Sequence, residues 1–121
     1  ALHEEADRHL QRGIEAYRVG DLDSAISALR QGLVSAPDSF KLRYQLSLLY
    51  GRRDELFEAI EDMERALTIR PNNFAALKNL AVLYQKAGFK HRAAELWERS
   101  LLVAPDAETK SSIRDHVISL L

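Results

Sequence analysis

The sequence contains no cysteine, which excludes a disulfide framework and any metal site with thiolate ligands. It also lacks a long apolar run, since no stretch approaches the ~20 residues that a membrane-spanning helix needs. Neither sign of charge dominates, because 17 Lys and Arg residues stand against 18 Asp and Glu residues. The chain therefore has no general attraction to nucleic acid or to anionic membranes, and neither is expected as a partner.

Glycine and histidine are too few and too scattered to build a catalytic or cofactor site. The five glycines form no phosphate-binding loop, and no serine or threonine stands in a recognisable nucleophile motif. His3 with Asp7 and His91 with Glu95 are each four residues apart. Such a pair supplies only two of the three or four ligands that a metal ion needs. We therefore expect no metal, no cofactor and no enzyme activity.

Only three prolines are present, and their spacing is the clearest pattern in the sequence. Pro37, Pro71 and Pro105 lie 34 residues apart. Each follows a segment of similar, largely apolar sequence and precedes Asp or Asn. Counting back from each proline aligns small residues at two places and large apolar residues at a third. The aligned sets are Gly13, Ser47 and Ala81, then Ala25, Ala59 and Ala93, then Leu29, Met63 and Trp97. A period of this length indicates a helical repeat.

The pattern resembles the tetratricopeptide repeat family, whose units carry small, aromatic and proline positions over 34 residues. The third copy matches throughout, whereas the second has Arg43 and the first has His9 and Arg12 where apolar residues are usual. The resemblance implies an all-α fold, a right-handed α-solenoid of three helix–turn–helix units with a C-terminal capping helix, about seven helices in all. The expected domain is 1–121, with repeats at about 6–39, 40–73 and 74–107 and a capping helix at about 106–121.

Hydrophobic periodicity predicts the same helices, because apolar residues recur at the three-and-four spacing of a buried helix face. Gly20 and Gly88 are placed to end helices with positive φ, and Asp21 or Asp54 to cap the helices that follow. The Asp or Asn after each proline is expected to cap the next helix. The last helix is expected to begin after Asp106 and to carry Ile113, Val117 and Leu120 on one face.

Several conspicuous residues are expected to have only structural roles. The acidic residues of the fourth helix have helical spacing and no glycine turn, so a solvated outer face is more plausible than a calcium site. They are Glu55, Glu58, Glu61, Asp62 and Glu64. Trp97 is expected in the core, and His9 and His116 at the surface.

In tetratricopeptide repeat arrays the first helix of each unit lines a concave groove, and this resemblance implies where a partner binds. Ile14, Leu48 and Val82 occupy equivalent places and are expected to form an apolar stripe. Basic residues outnumber acidic ones around the stripe, so a partner with acidic flanks is expected. The expected groove residues are Leu10, Ile14, Tyr17, Arg18, Lys41, Tyr44, Gln45, Leu48, Arg52, Lys78, Asn79, Val82 and Lys86. Its end is expected to be closed by Thr109, Ile113 and His116.

The resemblance implies a non-catalytic scaffold that binds a peptide or helical segment with apolar anchors. Two alternatives remain open: a structural module that self-associates through Val34, Phe57 and Leu102, and a regulatory segment of a larger protein. A small chaperone of a secretion system is a looser analogy. The clamp by which some co-chaperones of the family hold chaperone tails is not expected. Its places are held by Leu10, Ile14, Gln45, Ala75 and Asn79.

The sequence does not name a compartment. The chain begins with Ala1 and shows no basic-then-apolar leader, so an excised domain or a processed product is expected. Targeting signals are then expected outside these residues, and the compartment stays open, with the cytoplasm slightly favoured.

Overall fold

The computed structural model describes the backbone of residues 2–121 and the side chains of residues 4–121. These residues form seven α-helices, and the described chain contains no strand. The helices are α1 (Leu2–Arg18), α2 (Leu22–Ser35), α3 (Phe40–Arg52), α4 (Leu56–Ile69), α5 (Phe74–Lys86), α6 (Lys90–Leu101) and α7 (Ala107–Leu120). The predicted all-α architecture is confirmed.

The helices pack as three pairs followed by a single helix. The most extensive contacts join α1 to α2, α3 to α4 and α5 to α6, and smaller contacts join α2 to α3, α4 to α5 and α6 to α7. Each helix therefore packs mainly against its neighbours in the sequence, as in a solenoid. The apolar faces meet in one core cluster that extends from Ala6 in α1 to Ile113 in α7.

Small residues allow the two helices of each pair to approach closely. Ala81 and Ala93 are fully buried in the third pair. In the second pair the Ser47 hydroxyl donates to the Ala59 carbonyl at 2.6 Å. In the first pair a Cβ on Gly13 would lie 2.8 Å from the nearest side-chain atom of α2. The aligned small residues thus mark the helix crossings, as the repeat pattern predicts.

The turn within each pair contains one residue with positive φ. Gly20 and Gly88 have φ of 82° and 91°, as predicted, because glycine has no Cβ to disfavour this region. Asp54 takes the equivalent place in the second pair with φ of 60°. The prediction that Asp54 caps α4 is therefore wrong, since the N-cap is Glu55, whose side chain makes no capping bond. Asp21 does cap α2 and accepts a backbone N–H of its first turn at 3.0 Å.

The turns between pairs end in side-chain caps, two of which lie one residue later than predicted. The Asp and Asn that directly follow the first two prolines do not cap α3 and α5. Those N-caps are Ser39 and Asn73, each two residues after the proline. Asp106 caps α7 as predicted and accepts the Thr109 backbone N–H at 2.7 Å. This hydrogen bond holds the pKa of Asp106 below its ordinary value.

A buried ion pair in the second pair corrects another prediction. Asp62 was expected on a solvated face, but it is only 7% exposed. Its Oδ1 accepts a hydrogen bond from Arg43 Nη1 at 3.1 Å. The departure of Arg43 from the repeat pattern on α3 is therefore matched by a carboxylate on α4. The members of the acidic series that are exposed, as predicted, are Glu58, Glu61 and Glu64.

Candidate functional site

One cavity, which we name the N-terminal chamber, lies mainly between α1 and α3 and has a volume of about 170 Å³. The Arg52 guanidinium lies 5.1 Å from the centre of the Tyr17 ring, a cation–π contact that joins α3 to α1. The chamber is lined by Leu10, Gly13, Ile14, Tyr17, Leu29, Gln45, Leu48, Leu49 and Arg52. The structure thus brings together all the predicted groove residues of α1 except Arg18, with three from α3.

Tyr44 and Asn79 form a bridge between α3 and α5. Asn79 Nδ2 donates to Tyr44 Oη at 2.7 Å. The Tyr44 ring also stacks on Phe40, with 5.6 Å between ring centres, and the Arg70 guanidinium lies 4.5 Å from the Phe40 ring. Tyr44 and Asn79 were predicted groove residues, and the structure places them in this bridge, outside the lining of the N-terminal chamber.

A larger cavity, which we name the C-terminal chamber, lies between α5, α6 and α7 and has a volume of about 490 Å³. It is lined by Phe74, Lys78, Val82, Gln85, Lys86, Trp97, Thr109, Ser112, Ile113 and His116. Three predicted groove residues of α5 therefore meet the three residues of α7 that were expected to close the groove.

Gln85 joins the walls of the C-terminal chamber. Its Oε1 accepts the Trp97 indole N–H at 3.4 Å and lies 2.9 Å from His116 Nε2. The His116 ring meets the Trp97 ring edge to face, with 5.1 Å between centres. Trp97 is 7% exposed, as expected of a core residue. The histidines that were predicted at the surface are both half-buried, His116 against Trp97 and His9 against Gly32.

Arg18 and Lys41 line neither chamber. Arg18 is exposed at the last position of α1 and pairs with Glu15 of the same helix at 3.5 Å. Lys41 lies in the first turn of α3, at a separate cavity of about 350 Å³. Each residue lies near one end of its helix and outside the linings of both chambers.

Four lining residues of the C-terminal chamber were missed by sequence reasoning: Phe74, Gln85, Trp97 and Ser112. Gln85 and Ser112 each lie three residues after a predicted residue, so the helical spacing contained a usable signal. The contribution of Trp97 depends on how α7 lies against α6. The spacing within one repeat does not contain that information, because it concerns a contact between α7 and the preceding helix pair.

The two chambers share an electrostatic character. Among the described side chains of residues 4–121, no Asp or Glu lines either chamber. Arg52 lines the N-terminal chamber, and Lys78 and Lys86 line the C-terminal chamber. By contrast, a cavity between α2, α3 and α4 is lined by three carboxylates and two guanidinium groups. The chambers are therefore apolar sites with basic edges.

The described residues contain no convergence of three or more His, Cys, Asp or Glu side chains of the kind a metal ion requires. The side chain of His3, paired in the sequence with Asp7, lies outside the described residues. In the other pair Glu95 accepts a hydrogen bond from Arg92 at 3.3 Å. Within the described part of the chain, no helix combines the length and hydropathy of a membrane span.

Comparison with known families gives one match. A family model described as tetratricopeptide repeat matches residues 10–74, more than half of the chain. No curated protein matches the chain. Since the matched segment begins within α1 and ends at the start of α5, it covers the first two helix pairs.

Solved structures share the fold at low sequence identity. The Arabidopsis OM64 TPR domain is 13% identical with a TM-score of 0.86, and the alignment covers 100% of both chains. The first TPR domain of Spaghetti (RPAP3), bound to the HSP90 peptide SRMEEVD, is 19% identical with a TM-score of 0.84, covering 97% of this chain and 94% of that one. MamA is 23% identical with a TM-score of 0.76, covering 80% of this chain and 53% of MamA, so the chain spans about half of MamA.

These likenesses concern the fold alone, while the family model identifies the repeat itself. Three helix pairs, small residues at each crossing and a 34-residue period agree with both. The chain belongs to the tetratricopeptide repeat family and is an all-α solenoid of the kind that serves as a scaffold for protein–protein interaction.

Proposed function

We propose that the chain is a non-catalytic module that binds a peptide segment along the face formed by α1, α3, α5 and α7. This face, which we name the groove, contains both chambers and the bridge of Tyr44 and Asn79 between them. The observation that carries the proposal is that two apolar cavities lie on these helices, and that the charged side chains lining them, among the described residues, are all basic.

The proposed ligand has apolar anchor side chains and acidic flanks. Ile14, Leu48 and Val82 present partly exposed apolar surface to anchor side chains. Carboxylates of the ligand contact the basic residues at the chamber edges. This charge complementarity raises the association rate and disfavours basic partners. We expect micromolar affinity, about 8 kcal/mol of binding free energy.

The proposed ligand is an internal segment and not a free C-terminal tail. The peptide bound to the RPAP3 domain ends in EEVD. In this chain Leu10 and Ile14 stand where family members that hold such tails have Lys and Asn. Both residues line the apolar N-terminal chamber. An apolar anchor suits this surface better than a carboxylate, because burying an unpaired carboxylate is costly.

Selection from a random peptide library displayed on phage tests the proposal. We expect the selected peptides to be enriched in apolar and acidic residues and to bind less tightly at high salt. The double substitution Lys78→Glu with Lys86→Glu should weaken them by about tenfold or more, which corresponds to ~1.4 kcal/mol. The reason is that the basic edge of the C-terminal chamber becomes acidic.

Lys90→Glu is the matched control for this experiment. Lys90 is exposed at the start of α6 and lines neither chamber, so its reversal should leave peptide affinity unchanged. Selection of basic peptides, or an equal loss of affinity in the control, would show that the groove is not the binding face.

Self-association is a second candidate, favoured by apolar side chains outside the groove. Val34 and Leu102 are 85% and 86% exposed, and Phe57 is 70% exposed. Sedimentation at several concentrations tests this role. A dimer that is lost in Phe57→Ser and retained in Lys78→Glu would support it, whereas a monomer at every concentration would exclude it.

A further inference from the structure

We infer that the C-terminal chamber is an anchor site for one bulky, preferably aromatic, side chain with a carboxylate on an adjacent residue. This inference rests on the proposed function and assigns to the groove its principal specificity element. It also gives α7 a role in recognition, because the chamber exists only where α7 packs beside α5 and α6.

The interior of the chamber is apolar and held in place before any ligand arrives. Ile113 is 4% exposed and Trp97 is 7% exposed, so both are fixed by the core behind them. Gln85 contacts both Trp97 and His116 through one oxygen, which ties α5, α6 and α7 together. A site that is already ordered loses little conformational freedom on binding, and this favours affinity.

The size of the chamber distinguishes it from the other cavity of the groove. Its volume of about 490 Å³ lies within the range of roughly 300–1,000 Å³ that is usual for sites that enclose a ligand. The N-terminal chamber, at about 170 Å³, lies below that range. The larger side chain of a bound segment therefore enters the C-terminal chamber, while the smaller chamber holds an aliphatic contact.

The position of the lysines favours an acidic neighbour beside the anchor. Lys78, Val82 and Lys86 are four residues apart on α5, so they share one face of the helix. Both lysines are exposed, whereas Val82 is half-buried between them. An anchor side chain against Val82 therefore places the next residue of its own chain within reach of an ammonium group. Because no described Asp or Glu lines the chamber, a ligand carboxylate beside the anchor meets basic groups and no acidic side chain of the lining.

Trp97 provides a direct test, because it is the single tryptophan of the chain and it lines the chamber. The probes are two blocked dipeptides of equal size, N-acetyl-Phe-Asp-amide and N-acetyl-Phe-Asn-amide. We expect both to produce a saturable change in Trp97 fluorescence at millimolar concentration, with the Asp probe binding at least about threefold more tightly. In Lys78→Glu with Lys86→Glu this preference should reverse.

Ser112→Phe and Ser111→Phe form a matched pair of variants. Both serines are exposed on α7, but only Ser112 lines the chamber. Ser112→Phe fills the chamber and should weaken the Asp probe about tenfold or more. Ser111→Phe should leave its affinity unchanged, and circular dichroism should show equal helicity for the two. Equal affinities in the two variants, or equal affinities of the two probes, would overturn the inference.

Peptides from the library selection separate this inference from the proposed function. If they lose affinity in both Ser112→Phe and the double lysine reversal, the anchor site is supported. If they lose affinity only in the lysine reversal, the groove binds peptides but the anchor site is wrong. If the dipeptides produce a saturable change in Trp97 fluorescence while the library yields no ligand, the anchor site is supported and the peptide-binding function is wrong.

Discussion

The second and third helix pairs differ in the side chains that fill the space between their two helices. In the third pair Leu77 and Leu96 are 1% and 2% exposed and fill the space between α5 and α6 with apolar surface. At the positions 34 residues earlier the second pair has Arg43 and Asp62. Their side chains are 15% and 10% exposed, and they form the ion pair of 3.1 Å between α3 and α4.

In the second pair the two charges at this place are paired with each other. Burial raises the pKa of Asp62 above its ordinary value, although the Arg43 guanidinium opposes the shift. Desolvation therefore outweighs the attraction of the partner charge. Arg43 Nε also donates to the Pro37 carbonyl at 3.4 Å, a weak contact that satisfies part of the guanidinium. Either residue alone in the core of this pair would leave an uncompensated buried charge.

The largest expected effect follows from breaking the pair on one side. Asp62→Leu places at this position the leucine that the third pair has at Leu96. Arg43 then remains between α3 and α4 without its carboxylate partner. We expect the free energy of unfolding to fall by about 3–5 kcal/mol, because an unpaired charge remains in the core. Urea denaturation followed by circular dichroism measures it.

The control is the double substitution Arg43→Leu with Asp62→Leu, which copies the third pair completely. We expect it to be neutral or to raise the free energy of unfolding by about 1–4 kcal/mol relative to the wild type. A double variant as unstable as the single one would show that the ion pair is not equivalent to the leucine pair.

A smaller effect is expected at the turns of the same two pairs. Gly88→Ala should lower the free energy of unfolding by about 1–2 kcal/mol, because φ of 91° is strained for a residue with a Cβ. Asp54→Gly should raise it by about 0.5 kcal/mol, since the relief of strain exceeds the added entropy of the unfolded chain. Thermal unfolding compares the two turns. A stabilised Gly88→Ala variant would contradict the argument that positive φ strains a residue with a Cβ at these two turns.

The smallest effect concerns pH. Because the pKa of Asp62 is raised in the folded state, its contribution to stability is present below the ordinary value of 3.8 and is lost as pH rises through the folded pKa. The double leucine variant lacks this loss, so its advantage over the wild type should grow between about pH 3 and pH 7. Urea midpoints of the two proteins at matched pH measure the difference. An advantage that shrinks with rising pH would contradict the raised pKa.

The periodic features of the fold could be predicted because each recurs in every unit. The spacing of the prolines indicated three units, and the small residues aligned with Ala81 and Ala93 indicated where helices cross. The nine predicted groove residues that line the chambers could be placed because helical spacing decides which side chains share a face. These features depend on local periodicity, which a single sequence displays.

The sequence by itself therefore determined the helices and their pairing. The basic, apolar groove that it predicts stays a prediction. Only the tertiary structure decided that Arg43 meets Asp62, since these residues lie on different helices and the sequence predicted Asp62 on a solvated face. Only the tertiary structure decided that Gln85, Trp97 and His116 enclose a chamber. The physical reason is the same in both cases. Contacts between helices depend on their relative rotation and distance, and those follow from packing the whole core.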